Sequence, residues 1–205
     1  MIETERLRLR VPEDADVDAW TAMLGDPDVA RYLGPPLDTR EAVAAHVRWI
    51  RELHAVDGFG PLAVVRKSDG RVIGRSGFLV WDTSTWQPRA LAEAGGRAEL
   101  EIGWTLAHDC WGFGYATEAG RACRDHAFAA LGRDRIVALI DPENTRSIAV
   151  ARRLDMRHER DIRVAQRFES QLWVVRPCRG RRRRRARRRR GCPSRRGPTR
   201  RGGSR

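Results

Sequence analysis

The chain has 205 residues, 41% of them hydrophobic and seven of them Trp, which suits one domain with its own core and excludes a wholly disordered protein. A formal charge of +13 would suggest a nucleic-acid binder, but residues 178–205 hold 15 arginines and no acid, so residues 1–177 are left, thirteen less fifteen, at −2. Cys110, Cys123, Cys178 and Cys192 form no C-x-x-C pair and have no zinc-finger partner, so neither a disulfide framework nor a metal site is expected.

The opening MIETERLRLR has no apolar core of signal-peptide length, and no later window approaches a membrane span. A cytoplasmic protein with no membrane contact, monomeric or homodimeric, is expected. From Glu5 to Val11 apolar Leu7, Leu9 and Val11 alternate with Arg6, Arg8 and Arg10, the pattern of a half-buried strand. Residues 14–24 and 38–56 have helical periodicity. In the second stretch Asp38 can cap, with Glu41 at the capping-box position and Val43, Val47 and Ile50 recurring on one face. PLAVV (61–65) and RVIGRSGFLV (71–80) flank KSDG, whose Asp69-Gly70 pair signals a hairpin turn. A third strand of this meander spans 98–107, followed by a helix from 115 to 131, a strand 135–140, a helix 145–154, and strands 157–164 and 170–175. The order βααβββαβαββ predicts an α/β (α+β) domain, a mixed sheet with helices on both faces.

Between the third strand and its helix lies DCWGFGYATEAG, residues 109–120. Glycines one residue apart at a helix entry leave backbone N–H groups free and converging, and the helix dipole adds partial positive charge, a combination that favours a phosphate. The dinucleotide fingerprint fails because its third glycine is Thr117 and the preceding strands form a meander; a P-loop fails for want of Gly-Lys-Ser/Thr. A tight turn without a ligand is the other reading.

On the strand before it, Glu99, Glu101, Gly103 and Thr105 share one face, and Leu100, Ile102, Trp104 and Leu106 the other. If the carboxylates line a cleft, Glu101 first and Glu99 second could take a proton from an ammonium; otherwise both are merely solvated. Asn144 and Ser147 read locally as a helix cap and first turn.

ELEIGWTLAHDCWGFGYATEAG, RIVALIDPENTRSIAVARRLDM and the opening IETERLRLR, in this order, resemble the GNAT acetyltransferases, and among them the ribosomal-protein N-terminal acetyltransferase branch, over residues 2–176. The resemblance implies a GNAT fold with a central, mostly antiparallel mixed sheet of about seven strands, and acetyl-CoA as co-substrate. It places the pyrophosphate on the amides of Asp109, Gly112 and Gly114 and on those of the following helix start, Tyr115, Ala116 and Thr117. Trp111 and Phe113 fall in the same loop, His108 reads as a surface or coenzyme contact, and Asn144 lies beside the pantetheine arm. A backbone N–H near Leu106, where the family strand bulges and splays, would hold the oxyanion, and Ser147 would protonate the leaving thiolate, Ala151 standing where other branches have a Tyr.

The departures are Asp109 for Gln or Arg, Phe113 at an often basic position, and Asp155 for the Gly of the family's L-G-M-like turn, a left-handed helix end that Asp adopts less readily than Gly. The acceptor implied is a primary amine: a protein N-terminus such as a ribosomal protein's, or a small molecule. A catalytically weak acyl-CoA-binding or RNA-associated module on the same scaffold is the alternative. The domain should span 1–177, and 178–205 should be a disordered Arg-rich tail able to bind nucleic acid nonspecifically through phosphate charge.

Overall fold

The computed structural model describes residues 1–164 and 168–177, leaving aside the side chain of Phe168. The Arg-rich segment 178–205, with Cys178 and Cys192, lies outside the described residues, as does the behaviour expected of it. The strands are β1 (Ile2–Glu3), β2 (Leu7–Arg10), β3 (Pro61–Arg66), β4 (Val72–Asp82), β5 (Gln87–Pro88), β6 (Ala98–Leu106), β7 (Ile136–Ile140), β8 (Arg157–Val164) and β9 (Phe168–Val175). The helices are α1 (Val17–Leu24), α2 (Pro27–Ala30), α3 (Arg40–Asp57), α4 (Leu91–Ala94), α5 (Tyr115–Ala129) and α6 (Thr145–Arg153).

One open sheet runs β1-β2-β3-β4-β6-β7-β9-β8, with β5 pairing to β4 off this path. The extra strands beyond the expected seven include the two-residue β1 and β5. Every neighbouring pair is antiparallel except β6–β7, which is parallel and has a single register pair, Glu101–Val137. β6 and β7 are therefore joined at that one pair and are unpaired beyond it.

Apolar cores cover both faces. Ile73, Phe78, Ile102 and Leu106 pack with Ala119, Cys123 and Ala127 of α5 and with Ile148, Ala151 and Leu154 of α6. On the opposite face Ala63 packs with Trp20 and Met23 of α1 and with Val43, Val47 and Ile50 of α3, the three residues whose spacing predicted that helix. The cap of α3 is Thr39 rather than Asp38: its side chain accepts from Ala42 N–H at 3.2 Å, which moves the start one residue on and takes Glu41 out of capping-box register. Asp155 has the left-handed conformation expected of the helix end, φ 63°, with its carboxylate on Arg124 at 2.8 Å. No helix among the described residues is long and apolar enough to cross a membrane.

Candidate active site

The glycine loop begins with a single 3-10 turn, His108–Cys110, and rises through Gly112 (φ 84°) and Gly114 (φ 81°) into α5. Both angles lie where a side chain is strained, which accounts for the pair. The N–H of Trp111 is used by His108 C=O, and the first bond of α5 runs from Glu118 N–H to Gly114 C=O. Between them the N–H groups of residues 112–117 have no hydrogen-bond partner among the described residues. Six consecutive free donors at the positive end of a fifteen-residue helix form an anion cradle.

Cations that the linear motif does not show surround this loop. Arg6 donates to Phe113 C=O at 3.0 Å, lies 4.5 Å over the Tyr115 ring, and binds the Glu118 carboxylate, which also accepts from Thr4 Oγ1 and Arg6 N–H. The β3–β4 turn brings Arg71 onto Asp109 at 2.6 Å, holding that carboxyl below its ordinary range. Asp109 thus does not leave the loop without a cation; it recruits one from a hairpin about forty residues earlier, a pairing only the tertiary structure creates. Phe113 is 62% exposed. A separate concavity of about 250 Å³, lined by Glu3, Arg8, Val65, Arg66, Lys67 and Gly70, has its cations already paired with Glu3 or Asp69.

The opening of the sheet supplies the rest of the cleft. The expected bulge in β6 is not there: its register with β4 runs unbroken to Gly74–Leu106. Ordinary alternation does the same work, because Ala107 N–H bonds to Ile73 C=O, which makes Gly74–Leu106 a non-hydrogen-bonded pair and turns the N–H and C=O of Leu106 away from β4. The C=O accepts from Trp111 Nε1 at 2.9 Å, and the N–H, on the side that β7 has left, has no partner among the described residues. On β6 the indole N–H of Trp104 is buried and also without a partner among the described residues.

The two glutamates have different surroundings. Glu99 accepts from Arg135 at 3.0 Å, and Arg135 is shared with Glu159. Glu101 accepts from Trp81 Nε1 at 2.6 Å and from Leu139 N–H at 3.3 Å; the latter lies two residues past the last β6–β7 register pair, so the carboxylate bridges the strands where they part. Burial raises the Glu101 pKa above its ordinary value, against those two hydrogen bonds and the charge of Arg75.

Arg75, on the same face of β4, has its pKa drawn down to about 10 by burial. Its Nη1 lies 2.7 Å from His46 Nε2. Arg has no acceptor, so Nε2 must carry the lone pair and the ring is neutral. Burial accordingly holds His46 at about 4. Unfolded His46 would titrate near 6.5, so between pH 6.5 and 4 the unfolded chain binds a proton that the folded one refuses, and stability is present above that window and lost as pH falls through it. We expect a loss on the order of 2–3 kcal/mol from this group. Thermal melts of wild type and His46→Gln from pH 7 to 4 check it; an equally steep decline in the variant would exclude His46 as its source.

Asn144 caps α6 by accepting from Ser147 N–H at 3.0 Å, and Ser147 is half-buried beside it. Arg146 sits 4.6 Å over the Trp111 ring, tying α6 to the glycine loop. His108 is exposed, 4.6 Å from Trp111 and within 4 Å of Asp26 and Asp28. One ligand atom from each of these last three lies within 4.8 Å of the others, the one such group among the described residues. Asp26 already accepts the Asp28 N–H as the cap of α2.

A mixed sheet with one parallel register pair, and a loop of free amides at the head of the helix behind it, is an arrangement able to hold a phosphate-bearing co-substrate. Residues 6–157 match the acetyltransferase (GNAT) domain family, and the chain belongs to that family. An uncharacterized N-acetyltransferase p20 of Bacillus licheniformis is 32% identical over 171 residues, 82% of this chain and 89% of the other. The acetyltransferase of Agrobacterium tumefaciens str. C58 is 26% identical with TM-score 0.69, covering 85% and 92% of the two chains. RimL, a ribosomal L7/L12 alpha-N-protein acetyltransferase solved with coenzyme A, shares the fold at 18% identity and TM-score 0.68 over 84% and 95%.

Proposed function

We propose that the protein moves the acetyl group of acetyl-CoA to a primary amine by direct attack within a ternary complex. The observation that carries this reading is the run of six free N–H groups at 112–117, just past the C-terminal end of the strand on which Glu101 spans to β7. These residues fit the coenzyme. Its pyrophosphate would take the amides from Gly112 to Thr117, with Arg6 and Arg71 adding charge, while Asn144, Trp111 and the orphaned Trp104 N–H would meet the amide-bearing arm. His108 and Phe113 border the same site as contacts of the coenzyme.

Only a neutral amine attacks a thioester, so a proton must leave the ammonium first, and Glu101, its affinity for protons raised by burial, is suited to accept it directly or through a water. Glu99 is the lesser candidate because Arg135 occupies it. As the new C–N bond forms, the carbonyl oxygen gains charge that the free Leu106 N–H is placed to bind. The C–S bond then breaks, the nitrogen loses its second proton and the thiolate takes one, a transfer for which Ser147 is the hydroxyl candidate as relay; with a free thiol pKa of roughly 8.5 the thiolate leaves well in any case.

The test is release of free thiol from acetyl-CoA over a panel of primary amines, including peptide N-termini, run on the whole chain and on the chain cut after Pro177. Turnover by both forms is expected, because the last strand ends at Val175. Coenzyme binding with no thiol release from any amine would instead favour a binding module on this scaffold. RNA retention that falls steeply with salt and vanishes on truncation would assign nucleic-acid attachment to the Arg-rich segment.

A further inference from the structure

Three rows of cross-strand pairs cover the cleft face of β4 and β6: Arg75–Thr105, Gly77–Gly103 and Leu79–Glu101. Rows two residues apart are separated by about 6.8 Å, so Arg75 and Glu101 flank a row that has no side chains at all. A Cβ placed on Gly103 would meet nothing within 4 Å, and Gly103 is exposed. The floor is therefore open between a half-buried cation and a half-buried carboxylate. These two groups feel each other's charge, yet they form no ion pair within 4 Å. Arg75 uses Nη1 on the neutral His46, and its other N–H groups have no partner among the described residues. They are not sealed off either: among the described residues the sealed, unpartnered polar side-chain atoms are Trp104 Nε1 and Arg133 Nε.

We infer that Arg75 receives a carboxylate of the acceptor across the bare Gly103 floor, so that the amine acetylated is that of a free amino acid rather than of a protein N-terminus. This rests on the acetyl-transfer reading. An α-amino acid carries its ammonium and carboxylate on one carbon, matching a carboxylate and a guanidinium that face one hollow from opposite sides. A desolvated guanidinium with only a neutral imidazole as direct partner is best offset by a full negative charge held by its planar fork; a peptide carbonyl supplies only a dipole.

The experiment compares L-amino acids with their amides and with their decarboxylated amines, such as leucine, leucinamide and 3-methylbutylamine. Wild type should prefer the free acid by about 100-fold in kcat/KM, mostly through KM. Arg75→Gln should erase that preference while still acetylating 3-methylbutylamine, and Arg75→Lys, which keeps the charge without the fork, should restore part of it. Gly103→Val should fill the hollow and raise KM for leucine at least tenfold with acetyl-CoA affinity unchanged. Equal turnover of acid and amide by wild type, or an equal loss on all three acceptors in Arg75→Gln, would overturn the inference. Calorimetry of N-acetyl-leucine on the enzyme–CoA complex separates the two readings. Arg75-dependent binding without any turnover would overturn acetyl transfer and uphold the carboxylate site, and no binding would overturn the site.

Discussion

Glu101→Gln is expected to lower kcat about 100-fold at pH 7 and to leave acetyl-CoA affinity within twofold, since a general base is worth roughly 10²–10⁴ and Gln keeps the volume and one acceptor for Trp81 or Leu139. The direction with pH follows from the raised pKa. Glu101 serves as a base only when ionised, so wild-type activity should climb as pH rises through that raised value and fall below it. In the variant nothing on the protein accepts the proton, so turnover depends on the fraction of amine already neutral, and its deficit should shrink as pH approaches the amine's own pKa. Steady-state rates from pH 5.5 to 9.5 for both proteins decide the matter. A variant with the wild-type profile would move the role to Glu99 or to solvent.

Gly114→Val should raise the Kd for acetyl-CoA by about 100-fold, a change of about 2.7 kcal/mol, while the protein still folds. The conformation at Gly114, φ 81°, is strained for any side chain and most for a β-branched one, at roughly 1–3 kcal/mol. Space within the protein is not the obstacle: the nearest atom to an added Cβ is Arg6 Nη2 at 3.6 Å, an ordinary contact. What the side chain would obstruct is the approach of a phosphate to the free amides on either side. Gly132→Val provides the control, because Gly132 is also left-handed, at φ 64°, has open space around it, and lies beyond the far end of α5. Both variants should melt a few degrees early, and only Gly114→Val should lose the coenzyme. Similar losses of affinity in the two would trace the effect to strain and remove the phosphate from this loop.

Local pattern was enough to place most of the elements. The alternation Leu7-Leu9, the Val43-Val47-Ile50 spacing, the Asp69-Gly70 turn and the glycine pair each depend on residues within one turn or one strand, where periodicity and backbone sterics act directly on the sequence. The family resemblance extended that reading to the whole order of strands and to the loop proposed for phosphate, Asp109 and residues 112–117. Even the left-handed end at Asp155 was legible, because a short polar side chain tolerates that conformation.

What the sequence could not decide was which charges meet. Arg71 reaching Asp109, Arg6 clamping Phe113 and Glu118, Arg135 occupying Glu99, and Arg75 standing two rows from Glu101 across a bare glycine row all follow from cross-strand register and from which helix covers which face. Those relations join residues up to 112 positions apart in the chain. A chain whose basic residues are arginines but for Lys67 offers many equivalent partners to every acid, so composition cannot choose among them. The sheet chooses, because pairing at one register fixes every side chain's face and neighbours at once, and a slip of a single residue between β4 and β6 would put Glu101 and Arg75 on opposite faces.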